Sequence, residues 1–175
     1  IQNKWNNNVW TDTVKTAKVR RIHINQVTKC VKSLQEKDWL PATIFILSKS
    51  TIDNWANKIP YHFLEKEELK ELNQIWNQKL HMYKDEYNKN SSYWNMIYQL
   101  TQKGIGIHHS GIPTILKEMV QILYVKKLIK VLLATETFAV GINAPTRTVV
   151  FTNLQKYSMS GFRPFNFSEF SQMAG

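Results

Sequence analysis

At 175 residues, 43% of them hydrophobic, the chain is long enough to bury the core of about one domain and too apolar to be a disordered segment. No apolar run reaches the ~18 residues that a membrane-spanning helix needs, and no signal-peptide pattern opens the chain. A single cysteine, Cys30, excludes an internal disulfide and a cysteine-based zinc site, so an intracellular, reducing setting is expected. The formal charge of +10 and an isoelectric point near 9.7 favour a polyanionic partner, of which nucleic acid is the commonest.

Residues 1–21 are polar and asparagine-rich, with Trp5 and Trp10 among lysines. Such tryptophans stack on bases, pack a domain edge, or belong to a linker, and the segment stays unassigned. Over 25–37, Val27, Cys30, Val31 and Leu34 recur at three and four residues, which predicts an amphipathic helix with one buried face. After Pro41, the β-branched run 43–47 predicts a buried strand, and Ile52, Trp55, Ala56 and Ile59 predict the helix that follows. Capping accounts for Ser50 or Thr51 at that junction, leaving Ser48 and Lys49 at the strand tip as candidates for a nucleic-acid contact.

Between 60 and 103 no strand signal occurs. Leu69, Leu72, Trp76, Leu80, Tyr83 and Tyr87 form a helical seam, with Glu65, Glu67, Glu68 and Glu71 crowding its start, where negative charge suits the helix dipole. A second helix from Tyr93 to about Gln102 offers a packing partner within the chain, although a coiled-coil partner also fits the spacing. Gly104 to Ile107 then leads to His108-His109-Ser110-Gly111. Neighbours in an extended strand point to opposite faces, so the two histidines do not share a metal ion. Ser110 and Gly111 stand before a helix over 115–124 whose predicted buried stripe is Ile115, Met119, Ile122 and Leu123.

Residues 129–134 are almost unbroken in β-branched and aliphatic character, which suits a strand buried on both faces. Thr135, Glu136 and Thr137 then bring hydroxyls and a carboxylate to the point where the strand leaves the sheet, and Gly141 is free in its backbone. Ligands bind at this edge of an open α/β sheet, and helix N-termini there offer free N–H groups to phosphate. A further strand over 148–152, a loop over 153–166, and a final helix capped by Ser168 complete the chain. If the sheet is parallel, the turns after Leu47, His109 and Ala134 and the one near Ser168 open on one edge.

Four stretches in this order carry a resemblance. PATIFILSKS is similar to motif IV, GIGIHHSGIPTILKEMVQIL to the segment between IV and V, ATETFAVGINAP to motif V, and FSEFSQMAG to the opening of motif VI. Those are the motifs of superfamily-two DExH-box RNA helicases of the Ski/Mtr exosome-cofactor type, and the match runs from about residue 41 to residue 175. One departure stands out: the family's usual Gly-Leu-Leu-Pro is Gly111-Ile112-Pro113-Thr114 here.

The resemblance implies a RecA-like, three-layer α/β fold with a mostly parallel sheet, residues 22–175 forming a second RecA-like domain with a helical excursion over 60–103. It implies that Thr135 and Glu136 face an RNA backbone together with Ser48, Lys49, Ser110 and Gly111, and that Gly141 and Asn143 lie toward a nucleotide. Asn143 also reads as a turn former ahead of Pro145. Gln172 is the one motif VI position inside the chain that could serve catalysis, the motif's arginines lying past Gly175. No G-x-x-x-x-G-K-[ST] and no D-E-x-H occurs, so ATP and Mg2+ are expected of a longer protein and neither is expected to bind this piece alone. The expected partners are single-stranded RNA, a first RecA-like lobe of the same chain and an RNA-decay complex, with no membrane. Two alternatives are a basic RNA-binding module without a motor, and a related DNA helicase.

Overall fold

The computed structural model describes residues 22–139, 144–158 and 161–175. The readings made for 1–21, Gly141 and Asn143 lie outside them. In chain order the elements are α1 (Ile24–Glu36), β1 (Ala42–Phe45), α2 (Lys49–Lys58), α3 (Lys66–Met82), α4 (Lys84–Gln102), β2 (Ile105–His108), α5 (Thr114–Val125), β3 (Val131–Ala134), a 3-10 turn (Glu136–Ala139), β4 (Thr148–Phe151), β5 (Gln155–Ser158), β6 (Gly161–Pro164) and α6 (Phe167–Ala174). Among the described residues, β1 to β4 form a sheet in the order β2-β3-β1-β4, and every pairing in it is parallel. Its register aligns the strand ends: Ala134 lies opposite both Phe45 and His108, and Phe45 lies opposite Phe151. Parallel strands joined by helical crossovers must be covered on both faces, and β1, β2 and β3 are buried along their whole length.

Side-chain contacts tell which helix covers which face. Thr43 and His108 reach Tyr124 and Gln121 of α5, whereas His109, pointing the other way, reaches Asp53 of α2. Helices therefore flank the sheet in three layers, consistent with the RecA-like fold that the resemblance implies. One large core runs through these layers, and a smaller cluster of Phe45, Phe165 and Met173 lies where α6 closes over β1 and β4. Phe45 stacks on Phe151 at 5.5 Å between centroids and Phe151 on Phe170 at 4.8 Å.

Three helices end in a left-handed residue a few positions before a strand: α1 at Asp38, α4 at Gly104 and α5 at Lys127. After α1, Asp38 N–H bonds Gln35 O and Trp39 N–H bonds Leu34 O; after α5, Lys127 N–H bonds Tyr124 O and Leu128 N–H bonds Leu123 O. This Schellman arrangement satisfies the last carbonyls and reverses the chain into the sheet.

The helical excursion folds on its own domain. Trp76 meets Trp94 and Tyr98 edge-on at 5.7 and 5.3 Å, its indole N–H donates to Thr101 Oγ1, and Asn73 accepts from Tyr98 and Gln102. That pairing order makes α3 and α4 antiparallel neighbours. The expected seam is accordingly split at Tyr83: Leu72 and Trp76 are buried, but Leu80 is exposed. Ion pairs Glu68–Lys130 and Glu71–Lys126 tie the acidic start of α3 to the approach to β3.

Three further expectations need correction. The loop predicted over 153–166 contains an antiparallel hairpin, β5–β6, whose short polar strands carry no hydrophobic alternation to announce them. The final helix is capped by Asn166, not Ser168: Asn166 Oδ1 accepts from Glu169 N–H, and Glu169 returns a bond to Asn166 N–H. The buried stripe of α5 is Leu116, Met119, Val120, Leu123 and Tyr124, leaving Ile122 exposed. In a helix this apolar, periodicity does not single out one face, and the tertiary partners of Tyr124 decide it.

Candidate nucleic-acid interface

The aligned strand ends place three of the four expected turns along one edge of the sheet. At the first, Ser48 is the N-cap of α2: its Oγ accepts from Thr51 N–H at 3.3 Å and from Thr51 Oγ1 at 2.9 Å. Capping thus falls to Ser48, not to Ser50 or Thr51. The N–H groups of Lys49 and Ser50, first in the helix, have no acceptor among the described residues, the orphan donors that an anion satisfies. Lys49 is exposed and makes no ion pair among the described residues.

The second turn follows β2. His109 is 1% exposed; its Nε2 lies 2.9 Å from Asp53 Oδ1, and its Nδ1 accepts from Gly111 N–H at 3.1 Å. An accepting Nδ1 puts the ring proton on Nε2, which donates to the Asp53 carboxylate. One imidazole thus braces the turn Ser110–Gly111 against the helix that Ser48 caps. A methyl group added at Gly111 would lie 3.1 Å from His109 Nδ1 and 3.7 Å from Lys49 Cδ. Lys49 and Gly111, far apart in sequence, are therefore neighbours, and Ser110 beside them is exposed.

His108 turns to the opposite face. It packs edge-on against Phe138 at 5.0 Å and its Nε2 lies 3.1 Å from the Gln121 amide nitrogen. Burial first, then the positive charge of Lys117, lowers its pKa to about 4. The neutral ring accepts the Gln121 amide proton on Nε2, and its Nδ1 is buried without a partner among the described residues.

The third turn follows β3. Thr135 N–H continues the sheet to His108 O, and its carbonyl accepts from Phe138 N–H, which winds the 3-10 turn. Thr135 itself is 6% exposed, with its hydroxyl 3.0 Å from that of Thr137. Thr137 is the exposed hydroxyl of this turn, with Glu136 half-buried beside it. Helix α6 touches the same turn, and a cleft of about 320 Å³ opens there, lined by Thr43, Phe138, Thr146, Arg147, Gln172 and Met173 among others. Gln172 thus faces the motif V region across an open cleft.

The structure groups Ser48, Lys49, Ser110 and Gly111, and sets Thr135 and Glu136 just past the end of β3, the strand between β1 and β2. The fourth expected turn, near Ser168, does not follow a strand of this sheet; it follows the hairpin. Sequence reasoning passed over Asp53 and Gln121, and named Thr137 at the strand end without giving it a contact of its own. A signal for the first two existed: two adjacent histidines at the end of a buried strand must each find a polar partner on opposite faces.

No protein-family model matches the chain. Curated relatives do. The chain is 40% identical over 152 residues to the mouse "Exosome RNA helicase MTR4", a match covering 86% of this chain and 14% of that protein. It is 35% identical over 146 residues to the budding-yeast "Antiviral helicase SKI2", covering 83% of this chain and 11% of the relative. It is 35% identical over 152 residues to the Arabidopsis thaliana "DExH-box ATP-dependent RNA helicase DExH9", covering 86% and 15%. The chain therefore spans about one-seventh of the length of the curated relatives it matches.

Proposed function

Because this chain belongs to the Ski/Mtr group of DExH-box RNA helicases, we propose that residues 22–175 are the second RecA-like lobe of an ATP-dependent RNA helicase. The lobe holds the phosphate backbone of single-stranded RNA along its strand-end rim and completes an ATP site with a first lobe. The observation that carries this reading is the meeting of Lys49 with the Ser110–Gly111 turn on the rim of an all-parallel sheet.

Strands in a sheet lie about 4.8 Å apart, so the turns after β1 and β2, with β3 between them, span roughly two such steps. Exposed at or beside them are three hydroxyls, Ser48, Ser50 and Ser110, with the cation Lys49 and the free N–H groups opening α2. Thr137 adds a hydroxyl from the middle turn, and Thr135, bonded to it from the buried side, fixes its direction. Amides, hydroxyls and a lysine contact phosphate without reading bases, so the grip is independent of sequence, as a translocating motor requires.

By the resemblance the nucleotide falls to Gly141 and Asn143, which lie outside the described residues, and Gln172 lines the cleft with Phe138 at the start of the same motif. The residues present do not fit the magnesium ion that accompanies ATP: among those described, no group of three or more His, Cys, Asp or Glu converges, and the sequence has no phosphate loop or acidic box. The ion belongs with the first lobe, and the partner of the whole protein, after the exosome in one relative's name, is an RNA-decay complex. Two measurements test the reading. The 175-residue chain alone is expected to show no ATPase activity, whereas the full-length protein is expected to hydrolyse ATP faster when single-stranded RNA is added. ATPase in the pure 175-residue chain, or a full-length protein indifferent to RNA, contradicts it.

A further inference from the structure

Beneath the cleft that separates the motif V turn from α6, three hydroxyls close a ring. Tyr124 Oη lies 2.9 Å from Thr43 Oγ1 and 2.8 Å from Thr146 Oγ1, and the two threonine hydroxyls are 3.1 Å apart. Three protons and three contacts let each hydroxyl donate once and accept once. Tyr124 has no exposed surface and Thr43 is 2% exposed, while Thr146, half-buried, is the most open member of the ring and lines the cleft. Burial pushes the phenol pKa above its usual range, which keeps the proton on the ring of contacts. The same aromatic ring packs edge-on against Phe138 at 5.9 Å.

Phe138 and Thr146 stand on either side, in sequence, of the motif V residues 139–145. One side chain from α5 therefore touches the segment where it leaves the sheet and again where it returns. The return is also held at Pro41 O, to which Arg147 N–H and Thr148 N–H donate at 2.8 and 3.3 Å, and by side chains, the Arg147 guanidinium on Asp38 and the Thr148 hydroxyl on Trp39 O.

We propose that Tyr124 is a positioning residue for motif V, its ring fixing the start of the segment through Phe138 and its hydroxyl fixing the end through Thr146. The proposal rests on the helicase reading for its effect on turnover, but the latch itself is a property of the fold. The hydroxyl acts through Thr146 and Thr43, away from Lys49 and Ser110, and Tyr124→Phe keeps the ring on Phe138 beside Thr137, so losing the hydroxyl slows hydrolysis without loosening RNA. A hydroxyl-for-hydroxyl exchange at 146 preserves it and a methyl-for-hydroxyl exchange does not.

The test uses full-length protein carrying Tyr124→Phe, Thr146→Val or Thr146→Ser. Hydrogen exchange without nucleotide is expected to show the Arg147 amide opening about 2- to 10-fold faster in Tyr124→Phe and Thr146→Val, the loss of roughly one net hydrogen bond, with β3 unchanged and Thr146→Ser like the parent. RNA-stimulated kcat falls about 2- to 30-fold in the first two variants, while the RNA concentration for half-stimulation stays put. Exchange at Arg147 identical to the parent in Tyr124→Phe overturns the latch. Faster exchange with unchanged kcat, or with RNA affinity falling in step, overturns the positioning role. A parent with no RNA-stimulated hydrolysis overturns the helicase reading and the positioning role with it, while the exchange result still reports on the ring.

Discussion

A single imidazole decides how the turns after β1 and β2 are held. His109 is buried with one nitrogen given to Asp53 and the other to Gly111 N–H, so removing Asp53 strands a polar ring inside the protein. Asp53→Ala is expected to cost about 1–3 kcal/mol of stability, as for a buried group left without its partner, read from the denaturant midpoint. It should also weaken RNA binding, because Ser110 and Lys49 then no longer share a brace. Stability lost with RNA affinity intact contradicts the brace as a functional device. Its neighbour His108 makes a prediction of opposite character. Folding holds its pKa down at about 4 against 6.5 when unfolded, so below pH 6.5 the unfolded chain takes up a proton that the folded chain refuses. Stability is therefore level above pH 6.5 and declines as pH falls from 6.5 to 4. His108→Leu removes that part of the slope, which unfolding of the two proteins at pH 7 and pH 4.5 measures by difference.

The elements differ in how openly the sequence announces them. β1, β2 and β3 are short β-branched runs bounded by turn residues, and each lies within two residues of where periodicity puts it. The excursion was legible as helix, but its division at Tyr83 was not, since an apolar seam at three and four residues reads the same through a break. The hairpin β5–β6 was invisible because charge, not apolar alternation, holds it in place. Glu169 of α6 takes Arg163 of β6 in a two-pronged pair at 2.7 and 2.8 Å and also pairs with Lys156 of β5. The Arg163 guanidinium, with Lys156 and Asn166 N–H adding to it, lowers the carboxyl pKa to about 2 despite partial burial. Folding thereby gains stability that is present above pH 4.5 and lost as pH falls from 4.5 toward 2. Glu169→Gln is expected to remove that acid-sensitive part and to raise proteolytic cutting within the hairpin; cleavage at the parent's rate contradicts the clasp. In the excursion, Trp76→Phe gives up the bond to Thr101 and should cost about 0.5–1.5 kcal/mol.

At the scale of the whole molecule, topology was the most legible feature. Alternating strand and helix signals with short connections specify a parallel sheet, and a parallel sheet sends the strand ends to one rim. Which side chains meet on that rim was only half legible. Ser48, Lys49, Ser110 and Gly111 were found because strand-to-helix turns in such sheets face ligands. Asp53 and Tyr124 were not, because each acts through polar partners on other elements, His109 for Asp53 and Thr43 and Thr146 for Tyr124, that no local spacing links to it. Among the described residues at that rim the cation without an ion pair is Lys49, whereas Arg163 and Lys156 of the hairpin pair with Glu169.

The most direct measurement follows from that assignment. Affinity of the full-length protein for several unrelated single-stranded RNAs, titrated against salt with and without Lys49→Ala, separates a backbone grip from any other mode. The account predicts that Lys49→Ala weakens every RNA alike and lowers the slope of log affinity against log salt by ~0.7, the contribution of one neutralised phosphate on a single strand. A loss confined to one RNA sequence, or a salt slope the substitution leaves unchanged, contradicts it.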